Sequence, residues 1–173
     1  MSTMTNTQRT QIARLATSAP ARQIHAMNLD RCEYLLHYGE GKALLDTNLF
    51  RLHADWVGAY DPYSPRPSSR VFPENAHFEK IIAIYVFNTL PPKERKAAVE
   101  DAMSLLDIGG QLIAAVRADT ILGAAHFDGV RTKRDTFQKS YTMAGVEKEY
   151  SQYGQVRVNY ANPGFILFTI TKE

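Results

Sequence analysis

Segments that read as strands alternate with segments that read as helices, which predicts an α/β fold built on a mostly parallel sheet. Three observations carry this. Ile81 to Phe87 is a continuous apolar, β-rich run of seven residues, as a central strand covered on both faces requires. Pro91-Pro92 then opens a helix over Lys93 to Leu106, with an apolar face at Ala97, Ala98, Ala102, Leu105 and Leu106. Finally, Val156 and Val158 alternate with polar neighbours, Asn162-Pro163-Gly164 makes a turn, and Phe165 to Thr171 returns as an antiparallel strand.

The other elements follow in order. Residues 1–9 are rich in Ser, Thr and Asn and read as a poorly ordered tail, leaving 10–173 as a single domain. From Thr10 to Met27, Ile12, Leu15, Ala16, Ile24 and Met27 suggest one or two short helices interrupted at Ser18-Ala19-Pro20. Tyr34-Leu35-Leu36 enters a glycine turn at Tyr38 to Gly41, and a helical run follows from Lys42 to His53. Trp56 to Tyr60 reads as a second strand ending at Asp61-Pro62. Residues 62–76 carry four prolines and read as a long loop. Gly109-Gly110 ends the Lys93 helix, and Gln111 to Arg117 is the next strand.

Composition narrows the class. A length of 173 residues can bury a core without metal or disulfide help, and the net charge of +2 does not by itself select for or against nucleic acid. The single cysteine, Cys32, excludes an internal disulfide framework. The longest apolar stretch is too short to span a bilayer, and the N-terminus has no apolar core of signal-peptide type. A soluble, cytoplasmic protein is expected.

The chemistry concentrates at one turn. Gly39-x-Gly41 after the first strand lets a ligand approach the backbone and the helix that follows. Twenty residues after Gly41, Asp61 stands at the end of the second strand, where a carboxylate can accept hydrogen bonds from both hydroxyls of a ribose. A dinucleotide fingerprint would require a third glycine where Leu44 stands. A phosphate-binding P-loop fails as well, because Gly41-Lys42 is followed by Ala43 and the first glycine position holds Leu36.

Leu35-Leu36-His37-Tyr38-Gly39-Glu40-Gly41, Gly58-Ala59-Tyr60-Asp61-Pro62-Tyr63, Ile84-Tyr85-Val86-Phe87-Asn88-Thr89-Leu90 and Val116-Arg117-Ala118-Asp119 resemble class I S-adenosylmethionine-dependent methyltransferases. More narrowly, Thr136-Phe137-Gln138-Lys139-Ser140-Tyr141 and Asn162-Pro163-Gly164-Phe165 resemble the methyltransferase family associated with DNA phosphorothioation clusters. The resemblance implies a three-layer Rossmann-like sheet of seven strands with the last antiparallel, and S-adenosylmethionine as cofactor. By position, Tyr38, Gly39 and Gly41 wrap the methionine part and Asp61 binds the ribose. His37, Glu40, Pro62, Tyr63, Tyr85 and Phe87 complete the cofactor set, and Asn88 stands beside the sulfonium and the acceptor. His37 occupies a position where the family usually carries an acid, and Glu40 one that is usually small. The implied activity is methyl transfer to a nucleic acid or a small metabolite. Two further readings stay open: a degenerate cofactor- or partner-binding module of a DNA-modification or defence system, and non-methyl chemistry on the same cofactor.

Methyl transfer from a sulfonium needs orientation and water exclusion more than catalytic side chains. Asn88-Thr89-Leu90-Pro91-Pro92 has the parts of an amino-methylating motif but not its spacing, which disfavours a base amine as acceptor. Arg131, Lys133, Arg134 and Lys139 surround Phe137 and form the candidate contact for DNA or RNA; the alternative is a solvated loop with Phe137 in the core. His25, His37, His53, His77 and His126 lack metal-ligand spacing, Cys32 reads as a small core residue, and Tyr60, Tyr63 and Tyr85 are candidate pocket walls.

Overall fold

In a parallel strand covered on both faces, successive side chains point into opposite layers, so neighbouring positions must both be apolar. Leu35-Leu36, Ile81-Ile82 and Leu112-Ile113 meet this requirement, and all six side chains are buried. They belong to β1 (Cys32–Tyr38), β3 (Phe78–Ile84) and β4 (Leu106–Arg117), which with β2 (Ala54–Tyr60), β8 (Gln155–Ala161) and β9 (Phe165–Thr171) form one sheet ordered β2-β1-β3-β4-β9-β8. The structure is a computed structural model and describes residues 15–72 and 75–173. The expected N-terminal tail and residues 10–14 of the expected first helix lie outside that range.

Strands β1 to β4 are parallel, and β9 runs antiparallel to both β4 and β8. One layer places Ala21 and Ile24 of α1 (Ala19–Ala26) and Phe50 of α2 (Leu44–Phe50) against Leu35, Ile82, Ile113 and Leu167. The other places Val99 and Ala102 of α3 (Pro92–Ser104) and Val146 and Tyr150 of α4 (Met143–Tyr150) against Leu36, Ile81, Leu112 and Phe168. The three-layer α/β fold with an antiparallel closing strand is therefore present. No described helix is long and apolar enough to cross a membrane.

Several boundaries differ from expectation. Among the described residues the sheet holds six strands, where seven were expected. Between β2 and β3 the described residues contain one short 3-10 turn, Pro67–Arg70, and no strand. Pro62, Pro65 and Pro67 lack the amide a ladder needs, so β2 remains the sheet edge. Pro20 does not interrupt a helix but starts one, with Ser18 Oγ accepting from the Ala21 amide at 3.2 Å as N-cap. The Lys42–His53 run shortens to Leu44–Phe50. Strand β3 stops at Ile84 rather than Phe87, because Tyr85 takes φ = 57° and turns the chain.

The paired glycines Gly109-Gly110 do not end α3; Leu105 and Leu106 already do. They sit inside β4, where the register shifts: β3 advances two positions from Phe78 to Lys80 while β4 advances five from Leu106 to Gln111. Gly109 adopts φ = 78° there. A second, three-stranded antiparallel sheet of β5 (Ala124–His126), β6 (Gly129–Arg131) and β7 (Phe137–Gln138) follows β4. Its strands of two or three residues are too short to leave a period in the sequence.

Candidate functional site

The strand order reverses at β1, with β2 on one side and β3 on the other, and the crevice beyond the carboxyl ends of such strands is where α/β sheets bind ligands. The Gly loop fills that position. Gly39 and Gly41 both lie in the left-handed region, at φ = 71° and 54°. A Cβ on Gly39 would come within 2.3 Å of Val86 Cγ2, so the turn after β3 also demands glycine. Asp61 ties this loop to the next: its Oδ2 accepts from the Gly41 amide at 3.0 Å and its Oδ1 from the Tyr63 amide at 2.7 Å. A carboxylate is an acceptor-only group, so this bracing fixes a hydrogen-bond acceptor at the end of β2.

Beneath the loop lies a buried polar network. Glu40 receives hydrogen bonds from Thr47 Oγ1 at 3.2 Å, from Ser64 Oγ at 3.3 Å and from the Arg66 guanidinium. Since the Thr47 hydroxyl donates to this carboxylate, it must accept from His37 Nδ1 at 2.7 Å, which makes Nδ1 the protonated nitrogen of a neutral imidazole. Burial, aided by the Arg66 charge, pushes the His37 pKa down to about 3. The histidine at the expected acid position is thus uncharged, and the acid has moved to Glu40, paired with Arg66.

The loop opens onto a cavity of about 350 Å³. His37, Tyr38, Gly39, Glu40, Gly41, Asp61, Pro62, Tyr63 and Tyr85, all expected at the site, line it together with Tyr60. Tyr38 and Tyr60 pack ring against ring at 5.4 Å, and burial raises both phenol pKa values, so both hydroxyls stay protonated. The opposite wall is α3, through Glu94, Ala97, Ala98 and Asp101, with Thr89 and Leu90 leading into it. Burial raises the Asp101 pKa. From α2 comes Asp46, 1% exposed, whose Oδ1 accepts from the Ser18 amide at 2.7 Å while Oδ2 has no hydrogen-bond partner.

Two expected residues stand elsewhere. Phe87 is fully buried in the α3–α4 layer, 6.1 Å from the Tyr150 ring, and does not line the cavity. Asn88 is also fully buried and outside the lining; its Nδ2 donates to Gln138 Oε1 at 3.0 Å and its carbonyl accepts from the Lys139 amide at 2.8 Å. The cause is the early end of β3, which turns residues 87–89 into a 3-10 turn and brings Thr89 and Leu90 to the cavity instead. The residues that sequence reasoning missed are Asp46, Arg66 and the polar edge of α3. A usable signal existed for Asp46, an acid in the first turn of the helix after a Gly loop. None existed for Arg66.

Half of the expected basic contact is paired with carboxylates of the chain itself. Arg131 pairs with Asp135. Lys139 pairs with Asp128 at 2.7 Å and Glu149 at 2.5 Å, and the same two acids hold buried Arg95. Phe137 is buried, while Lys133 and Arg134 are exposed. Among the described residues no group of three or more His, Cys, Asp or Glu is placed to hold a metal. Cys32 is buried, donates to the His53 carbonyl at 3.6 Å, and has its thiol pKa raised by burial.

No protein-family model matches the chain, and no curated protein matches it by sequence. Solved structures do match. The DhpI–SAH complex is 16% identical over 87% of this chain and 82% of that one, with a TM-score of 0.64. The Burkholderia thailandensis 1,6-didemethyltoxoflavin-N1-methyltransferase, with bound 1,6-didemethyltoxoflavin and S-adenosylhomocysteine, is 16% identical over 89% and 77%, with a TM-score of 0.67. The N-methyltransferase NodS from Bradyrhizobium japonicum WM9, in complex with S-adenosylhomocysteine, is 12% identical over 97% and 99%, with a TM-score of 0.60. At these identities the likeness speaks for architecture: the chain has the fold of the class I S-adenosylmethionine-dependent methyltransferases.

Proposed function

We propose that this chain is an S-adenosylmethionine-dependent methyltransferase acting on a small molecule. The observation that carries the reading is the cavity at the strand-order reversal, bounded by Gly39-x-Gly41 on one side and Asp61 on the other. The group fits the residues present: the glycine at 39 leaves the backbone open to a ligand, and the cavity volume is in the range of small-molecule sites.

In this reading Asp61 accepts from the ribose hydroxyls while continuing to hold the Gly41 and Tyr63 amides, so the acceptor is rigid before the ligand arrives. Leu90, Ala97 and Ala98 offer an apolar face for a purine. Tyr38 and Tyr60 present neutral hydroxyls and rings rather than charges. The cofactor supplies an electrophilic methyl on a sulfonium. The protein's part is to align the acceptor lone pair and keep water out, which requires no charged catalytic side chain.

A small acceptor is favoured over a nucleic acid because Arg131 and Lys139, half of the expected basic contact, are engaged by carboxylates of the chain itself. The solved structures with 1,6-didemethyltoxoflavin and with HEP bound are of the same fold. Calorimetric titration with S-adenosylmethionine and S-adenosylhomocysteine tests the cofactor reading. Micromolar affinity that drops about 100-fold in Asp61→Ala is expected, as loss of two hydrogen bonds to a charged acceptor implies. No binding of either ligand by the wild type would overturn the proposal.

A further inference from the structure

A second cavity, of about 330 Å³, lies at the open edge of the sheet, where no described strand pairs with the outer side of β2. It is bounded by β2, by the end of α2 and by the turn at Pro67–Arg70. Its apolar floor is prearranged. The Trp56 ring lies over Gly58, where a Cβ would come within 2.5 Å of it, and stacks on Phe78 at 6.1 Å and 25°. Trp56 nonetheless stays 52% exposed, a broad flat surface open to a ligand.

The walls carry donors and positive charge. Arg51 and Arg66 both line the cavity, and no carboxylate does. The Arg51 side chain forms no ion pair or hydrogen bond with the described residues. Arg66 gives one hydrogen bond to Glu40, and a guanidinium has five N–H donors. Ser69 is 5% exposed and lines the cavity, and its hydroxyl has no hydrogen-bond partner among the described residues. Two guanidinium groups and a buried hydroxyl around one space suit an oxyanion. A bare anion would leave the Trp56 and Phe78 floor uncovered, so the volume and the floor call for an apolar body behind the charge.

We propose that this cavity is an effector site for a small organic anion, a carboxylate or phosphate ester on a flat apolar body. Arg51, Arg66 and Ser69 hold the oxyanion, and Trp56 and Phe78 carry the body. Arg66 ties the site to the Gly loop: it lines this cavity, while its partner Glu40 lies in the loop itself and lines the other one. An anion that draws on Arg66 weakens its hold on Glu40, which is 2% exposed and then keeps only Thr47 and Ser64. Effector and cofactor therefore oppose each other, by the same factor in either direction. The coupling rests on the cofactor reading above; the site does not.

Trp56 is the only tryptophan of the chain, so its emission reports the site directly. The probes are phenyl phosphate and benzoate, with benzyl alcohol as the neutral control and inorganic phosphate as the anion without a body. We expect a saturable change in Trp56 emission with both organic anions at millimolar concentration or below, and affinities at least about tenfold weaker for the two controls. Arg51→Gln, with a thermal melt to verify folding, should weaken phenyl phosphate about fivefold. No saturable response to either organic anion, or equal affinity for phenyl phosphate and benzyl alcohol, overturns the site. Unchanged affinity for phenyl phosphate in Arg51→Gln also overturns it. In wild type, saturating phenyl phosphate should weaken S-adenosylhomocysteine about threefold or more, and at the same concentration the effect should shrink in Arg51→Gln. Absence of that effect, or its persistence undiminished in Arg51→Gln as direct competition would give, overturns the coupling. Binding of phenyl phosphate by a wild type that binds no S-adenosylhomocysteine overturns the cofactor reading instead, and leaves the site standing.

Discussion

The Gly loop and the basic segment around Phe137 are the two places where the sequence offers a ligand, and they fare differently in the folded chain. In the Gly loop, nine of the expected residues converge on one cavity. In the basic segment, Arg131 is bound by Asp135, Lys139 by Asp128 and Glu149, and Phe137 is core. The loop reading depends on strand order, since the ends of β1, β2 and β3 must meet wherever the topology reverses. The basic reading depends on which carboxylates approach from other elements. Glu149 comes from α4 and Asp128 from the turn between β5 and β6, and neither is visible within the segment.

Four variants sharpen that contrast. Gly39→Ala should have the largest effect, because it adds left-handed strain to a clash with Val86, a side chain with little freedom to turn. We expect a loss of about 2–5 kcal/mol in chemical denaturation together with loss of S-adenosylhomocysteine binding. Arg95→Met should come next, at about 2–3 kcal/mol, since it strands Asp128 and Glu149 near Lys139 while both carboxylates still reach solvent. Its affinity for S-adenosylhomocysteine should change less than about threefold, which would separate the two regions; a larger loss would join them.

The third concerns pH. His37 is neutral in the folded chain down to about pH 3 and titrates near its ordinary 6.5 when unfolded. The unfolded state therefore binds the extra proton as pH falls below 6.5, and stability declines from there toward pH 3. At pH 5 the loss through this residue is about 2 kcal/mol relative to pH 7. Denaturation midpoints at the two pH values should show it, and His37→Gln should flatten the slope; an unchanged slope would place the acid sensitivity elsewhere. The smallest effect belongs to the combined Arg131→Ala, Lys133→Ala, Arg134→Ala variant. Stability should move by about 0.5 kcal/mol or less, and retention on DNA at moderate salt should match wild type. Weakened retention with a flatter salt dependence would restore the nucleic-acid reading.

Sequence alone determined the elements whose cause is local. The doubly apolar runs at Leu35-Leu36 and Ile81-Ile82, the left-handed requirement at Gly39 and Gly41, the proline start of α3 and the closing hairpin all follow from sterics and side-chain periodicity within a few residues. Asp61 was legible as well, because its spacing from Gly41 reports the length of one α-helical crossover. Tertiary structure decided what each charge meets. His37 became neutral because Arg66 and burial reach it, Glu40 became saturated because Ser64 and Arg66 fold back from the proline-rich loop, and Asn88 left the cavity because Tyr85 turned β3 early. Asp46 shows the division most clearly. Its helix position was readable, but the empty hydrogen-bond capacity of one oxygen depends on every group packed around it. Backbone preferences act between neighbours in the chain; electrostatic partnership acts between neighbours in space.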